Sequence, residues 1–386
     1  MAKFFKQNYQ YLIFILILLV SLIIFEPAIT PDTKYFIETG NLLFSSSAKD
    51  FIKIIFNTEI LFKLISILNI SFFFNFIGDG AKYFLVILNF ILFFFIFKIN
   101  CYISEKINKI NNKNLLNLII IFFTFLYLPV FLLTFKILTE VYFQLVCILY
   151  LQQLYKNQYR LKYISLISLL SIFINPMGII LIGFTFVLII SKYLKINLVY
   201  LIILSLFCVV FLIPFFLDYL FNVSPWLNIG DINNPSRFKF LEKGNIIYHF
   251  LYYNQGDFIW CQHYCSFGEI YHSLKSNSNY FDYFISGIVR IFYFIYPLRP
   301  YFSLNHNLLI FFSMFLIYSG FFLSFKFCNI KNYLPLYLIF FYIAFFVITP
   351  LSPSYRYQSA FYLMLIPNAS IFYNLLIVKF YEKHFH

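Results

Sequence analysis

The sequence predicts an all-α fold, a polytopic transmembrane helical bundle of about ten spans with interfacial helices in its outer loops. Three observations predict it. Of 386 residues, 62% are hydrophobic and only 11% charged, and the apolar residues run in stretches of span length instead of the broken pattern of a soluble core. The charges separate by position into a basic set and a neutral set, as they do when a bilayer orients a chain. Turn residues such as Asn175-Pro176 and Glu26-Pro27 punctuate the runs.

The first apolar stretch, Tyr11 to Phe25, follows Lys3 and Lys6 in the manner of a signal peptide, but Glu26-Pro27 is no small-residue cleavage site, so it is read as a retained span. Length and apolar continuity place spans near 9–25, 81–99, 115–134, 138–155, 162–175, 177–191, 197–216, 307–325, 332–349 and 359–378. Several are short, notably the pair folded about Asn175-Pro176-Met177-Gly178, which suits a shallow hairpin or one covered by its neighbours. The segment Ile60 to Ile77 is apolar enough to cross as well, and charge decides against it. With ten spans, the cytoplasmic side receives Lys3 and Lys6, the Lys98 to Lys113 cluster, Lys156 to Lys162, Lys192 and Lys195, Lys326 and Lys331, and Lys379 and Lys383. Only Glu105 and Glu382 oppose them, so the whole net charge of +13 falls on that side and the outer side is neutral. A further span would carry the Lys106 to Lys113 cluster outside, and 60–77 is therefore laid along the outer interface. Both termini are then cytoplasmic.

The outer regions 26–80 and 217–306 are where chemistry is expected, on one membrane domain spanning 1–386. Within them Thr33 to Leu43, Lys49 to Phe56 and Asp282 to Tyr296 alternate apolar and polar residues at helical spacing. The basic excess orients the chain in membrane lipid and argues against nucleic acid. The abundance of Phe and Tyr matches an AT-rich coding bias and a bacterial inner membrane more than a chemical need. Cys261-Gln262-His263-Tyr264-Cys265 with His272 lacks a second close pair to complete a tetrahedral metal set, although Cys261 and Cys265 are near enough for a disulfide. Trp226 and Trp260 suit stacking on sugar rings or anchoring in headgroups. No Gly-x-Gly-x-x-Gly or P-loop occurs, which disfavours a donor bound as a soluble nucleotide.

The first outer loop reads Glu26-Pro27-Ala28-Ile29-Thr30-Pro31-Asp32-Thr33-Lys34-Tyr35. Pro31 stiffens it, and either Asp32 or Thr30 caps the helix that follows. This loop resembles that of the GT-C superfamily, the polyprenyl-phosphate-sugar-dependent glycosyltransferases. Pro129 and Leu138-Thr139-Glu140 resemble that superfamily's Pro and Thr-Glu placements. Phe173-Ile174-Asn175-Pro176-Met177-Gly178 resembles its Arg-Pro-x-Gly turn, and Ser354-Tyr355-Arg356-Tyr357 its Arg-Tyr step. Two departures are plain: Asn175 stands where Arg is common, and Asp32-Thr33 replaces the Asp-Glu pair of the protein O-mannosyltransferase and aminoarabinose-transferase branches.

The resemblance implies inverting transfer of a sugar from a polyprenyl-phosphate donor to a lipid, glycan or protein acceptor at the outer face. Asp32 is the expected base, with Arg356, Arg299, Glu140, Tyr357 and Tyr35 as the substrate-binding set; no cofactor is assigned with certainty, and the need for a divalent cation is left open. The residues alone also allow Arg299 and Arg356 to be interfacial anchors, and Glu140 to pair with Lys136 one turn earlier. Three other functions fit the same composition: a lipid or solute transporter or flippase, an O-antigen polymerase or ligase, and a scaffold without catalysis. Carriers usually show internal repeats and charged or broken helices at mid-bilayer, and neither is evident here.

Overall fold

The computed structural model describes residues 2–56, 58–107, 112–156, 159–208, 304–327, 333–348 and 355–385. They are helical throughout, with no β-strand among them. In chain order they are α1 Ala2–Ile24, α2 Pro31–Ser45, α3 Ala48–Ile55, α4 Thr58–Leu61, α5 Leu64–Ile77 and α6 Ala81–Ile107. Next come α7 Lys113–Leu126, α8 Leu128–Leu132, α9 Glu140–Leu154, α10 Leu161–Ile174, α11 Gly178–Leu194 and α12 Leu198–Cys208. The last three are α13 Leu304–Phe327, α14 Leu334–Ile348 and α15 Tyr355–Phe385.

Among the described residues, three stretches are long and apolar enough to cross a membrane: Leu64–Ile107, Leu308–Lys326 and Gln358–His384. Of the other expected spans, α7, α9, α10 and α11 have 14 to 17 residues and the apolar part of α1 is Tyr9–Ile24; those at 197–216 and 332–349 extend in part outside the described residues. The stretch expected as one span at 115–134 is divided. α7 stops at Leu126, and Pro129, which lacks an N–H, lies in the first turn of the separate α8. Segment 60–77 is helical from Leu64 and runs into α6 through Gly78-Asp79-Gly80. Gly78 takes φ +67°, the left-handed region that favours glycine, and so marks the break. The regions expected to be interfacial at 33–43 and 49–56 are α2 and α3; 282–296 lies outside the described residues.

The chain divides into two compact units, one of Met1–Thr185, Phe312–Leu336 and Tyr355–His386, the other of Phe186–Phe311 and Tyr337–Ser354. The first carries the features below. In it α15 is the central helix: 72% of its most apolar window is buried, against 39% for Leu308–Lys326. It packs on α6, α7 and α9, and α9 in turn on α6 and α10. α1 lies outside this group. Its Phe14 stacks on Phe97 of α6 at 4.7 Å, while Leu16, Leu19 and Ile23 on its other side are exposed, Ile23 to 86%. A helix apolar on both its packed and its open face is suited to lipid and costly in water.

Beside the core, α2 packs along α5. Gly40 makes that approach close, because a Cβ there would collide with Ser71. Phe36, Leu43, Ile60, Ile67, Ile70, Leu85 and Ile137 form the apolar centre of this layer. The α10–α11 turn is built on a second close contact: Gly178 lies on the Ser171 backbone, leaving no room for a side chain. Asn175 Oδ1 accepts from the Met177 N–H at 2.9 Å and holds the turn.

Candidate functional site

Thr30 caps α2, its hydroxyl accepting from the Thr33 N–H at 3.2 Å. Thr33 returns the contact by accepting from the Thr30 N–H at 3.0 Å, a reciprocal capping box. Of the two caps the sequence allowed, the structure uses Thr30. Asp32, in the first turn, is partly exposed, and an acidic residue there suits the positive end of the helix dipole.

The loop before α2 is tied to a segment more than one hundred positions later. The Ala28 N–H donates to the Phe135 carbonyl at 2.9 Å, and the Ile137 N–H donates to the Ala28 carbonyl at 3.3 Å. Thr33 Oγ1 donates to the Ile137 carbonyl at 2.7 Å. From α6, Asn89 Nδ2 donates to the carbonyls of Thr134 at 3.1 Å and Lys136 at 3.2 Å. These bonds satisfy the non-helical backbone between α8 and α9, which inside an apolar bundle has no water to turn to.

The same segment ends in Thr139-Glu140. Glu140 opens α9 and is 2% exposed. Lys136 is in extended backbone, φ −94° and ψ 134°, so the expected helical i, i+4 pairing of Lys136 with Glu140 does not describe their geometry. Asn175 Nδ2 donates to Thr139 Oγ1 at 3.0 Å, and Ser66 Oγ on α5 donates to the Ile174 carbonyl at 3.4 Å. Asn69 Nδ2 donates to Tyr142 Oη at 2.7 Å, one turn along α5 from Ser66. Asp32, Glu140 and Asn175 are thus gathered at one end of the unit by α2, α5, α6, α9 and the α10–α11 turn.

Tyr35 follows Asp32 by one turn, is half-buried, and has the Lys63 ammonium 5.6 Å from its ring centre. Arg356 and Tyr357 belong to the first turn of α15; their side chains lie outside the description. The register places that turn. Gln144 Nε2 donates to Ser359 Oγ at 2.9 Å, and both residues lie one turn inside the starts of their helices. The α15 turn carrying Arg356 therefore stands at the same end as Glu140. Arg299 lies outside the described residues, as do Trp226, Trp260, the Cys261–Cys265 pair, His263 and His272.

The sequence reading missed Asn89, Asn69 and the Thr33 link to Ile137, and it placed Asn175 at a turn without its bond to Thr139. The available signal was an amide inside an apolar run, since a buried amide demands partners. Among the described residues no three His, Cys, Asp or Glu side chains converge as a metal set. Comparison with protein-family models, curated proteins and solved structures finds no match in any of the three. Fold and site therefore define a class: among the described residues, a helical protein with three stretches long and apolar enough to cross a membrane and a polar cluster gathered at one end of its first unit.

Proposed function

We propose that the chain is an integral membrane glycosyltransferase of the GT-C type, moving a sugar with inversion from a polyprenyl-phosphate donor to an acceptor at the outer face of a bacterial inner membrane. The observation that carries this reading is the anchoring of the Asp32 turn to the Thr134–Glu140 segment, at the end where α15 begins with Arg356. Chemistry at a membrane surface needs a carboxylate held still, and Thr33 holds this one through the adjacent residue. As the acceptor oxygen bonds to the anomeric carbon, its proton passes to the Asp32 carboxylate. The bond from that carbon to the phosphate oxygen breaks with its electron pair, and the polyprenyl phosphate leaves with an added negative charge. A guanidinium at the head of α15 is suited to stabilise that charge bidentately. Glu140 and Tyr35 complete the wall against which the sugar is oriented.

The test is an assay of the purified chain in lipid with a panel of polyprenyl-phosphate sugars, read by the mass increase of an acceptor pool. Transfer by the wild type and its loss in Asp32→Asn at unchanged abundance are expected. Full activity of Asp32→Asn removes the aspartate from the mechanism. Arg356→Ala is expected to raise the donor concentration needed for half-maximal rate and to leave that for the acceptor unchanged.

A further inference from the structure

The two cations expected at the Asp32 end from the sequence are arginines, Arg356 and Arg299; the fold brings a lysine there as well. Lys63 stands immediately before α5, whose first two turns are fixed to the site by the Ser66 bond to the Ile174 carbonyl and the Asn69 bond to Tyr142. Its ammonium lies 5.6 Å from the centre of the Tyr35 ring and 5.8 Å from that of the Phe36 ring. Tyr35 and Phe36 follow Asp32 by three and four positions, the spacings that put side chains on one face of a helix. Helical side chains lean towards the N-terminus, so both rings lean back towards Asp32. An ammonium close to both therefore sits over the face of α2 that carries the carboxylate. Lys34 is nearer in sequence, but two positions from Asp32 place it across the helix, and it is exposed.

Lys63 is held in that place. A lysine stem is flexible and its ammonium strongly hydrated, so a lysine that only marks a surface has many positions open to it. Lys63 is half-buried instead, and Phe36, 2% exposed, belongs to the apolar centre that also takes in Ile60 and Ile67 from either side of Lys63 in the chain. Two rings attract the charge and confine it. The same contact gives Tyr35 a second role: expected from the sequence to meet the substrate itself, it also positions Lys63.

A confined positive charge and a carboxylate on one face of one helix select a substrate with two matching parts, an anion for the ammonium and a hydroxyl for the carboxylate. An ammonium carries three N–H donors on a compact charge, which suits phosphate oxygens. In the transfer proposed above, the acceptor supplies the hydroxyl and the donor the phosphate. Resting on that reading, we propose that Lys63, set in place by Tyr35 and Phe36, binds the phosphate of the polyprenyl donor beside Asp32. It holds the charge that the donor already carries before any bond breaks, and it transfers no proton.

Native mass spectrometry of the purified full chain in detergent tests it, with undecaprenyl phosphate and uncharged undecaprenol titrated separately. The wild type is expected to retain the phosphate at lower concentration than the alcohol. Lys63→Met keeps the length of the stem and removes the charge. It is expected to weaken phosphate binding about tenfold or more, the usual worth of a hydrogen bond to a charged group, and to leave undecaprenol binding unchanged. Lys63→Arg should recover most of that loss, and Tyr35→Leu, which withdraws one ring, should give a smaller loss of phosphate binding. Equal phosphate binding by Lys63→Met and the wild type overturns the proposal; so does an equal loss of both ligands, which makes Lys63 structural. Either result, with sugar transfer by the wild type intact, leaves the transferase reading standing. A wild type with no preference for the phosphate overturns the proposal, and where sugar transfer is absent too, the reading it rests on.

Discussion

Asn89 and Asn100 lie on the same face of one helix, three turns apart, and their surroundings are opposite. Asn89 reaches two backbone carbonyls in the segment that joins α8 to α9, one in the short 3₁₀ turn Leu133–Phe135 and one in the extended residue after it. Asn100 lies in a stretch where its neighbours are helical, and neither of its amide atoms finds a partner among the described residues. An amide in an apolar run therefore has no fixed meaning: where the neighbouring chain leaves the helix it clamps backbone, and where the neighbours stay helical it must look elsewhere. The first case builds the end that carries Asp32.

The contrast can be broken at its chemical end first. Asp32→Asn is expected to lower the glycosyl transfer rate by about 10²-fold or more, the usual scale for losing a general base, with no change in unfolding midpoint. A matching loss of stability would reassign Asp32 from chemistry to folding. Next in size is Asn89→Leu. It removes the side-chain donor from the Thr134 carbonyl and leaves the Lys136 carbonyl with the Leu138 N–H alone, and by the usual penalty for an unmatched buried group it should cost about 1 to 3 kcal/mol, measured by denaturant titration in detergent. A neutral result would show that the α8–α9 segment is held by the Ala28 and Thr33 bonds alone.

Gly40→Ala tests the layer beneath the site. Its methyl would meet Ser71, and overpacking of this kind typically costs about 1 to 3 kcal/mol; adding Ser71→Gly should restore most of the loss. Failure of the second change to rescue the first would mean that α2 and α5 are not held at this close distance. The smallest expected effect is that of Thr33→Val, about 1 to 2 kcal/mol, because it removes the Oγ1 bonds and keeps the shape and the Thr30 hydroxyl cap. Transfer should fall further than that stability loss accounts for, since Asp32 is positioned through its neighbour; an activity loss tracking stability alone would separate the two residues.

Much of the helical framework was legible beforehand. The expected elements at 9–25, 138–155, 162–175, 177–191, 307–325, 332–349 and 359–378 correspond to helices, because apolar continuity and turn residues act locally. The stretch at 115–134 did not, since a single proline inside an apolar run gives no indication of how far the break extends. At the site, Asp32 at the head of a helix was legible from Pro31 and its neighbours. Glu140 was expected near the start of a span at 138–155, and its near-complete burial was not legible, because burial depends on helices that lie far from it in sequence.

By itself the sequence determined the helices, the caps that start them, and the glycines and prolines that stop them. These follow from forces acting over a few residues or from composition, and so survive reading one residue at a time. Only the tertiary structure decided that Ala28 and Thr33 grip the Phe135–Ile137 segment, that Asn175 reaches Thr139, and that Asn89 is satisfied while Asn100 is not. Those outcomes turn on which carbonyls a folded neighbour leaves without a donor, and no single stretch of chain carries that information.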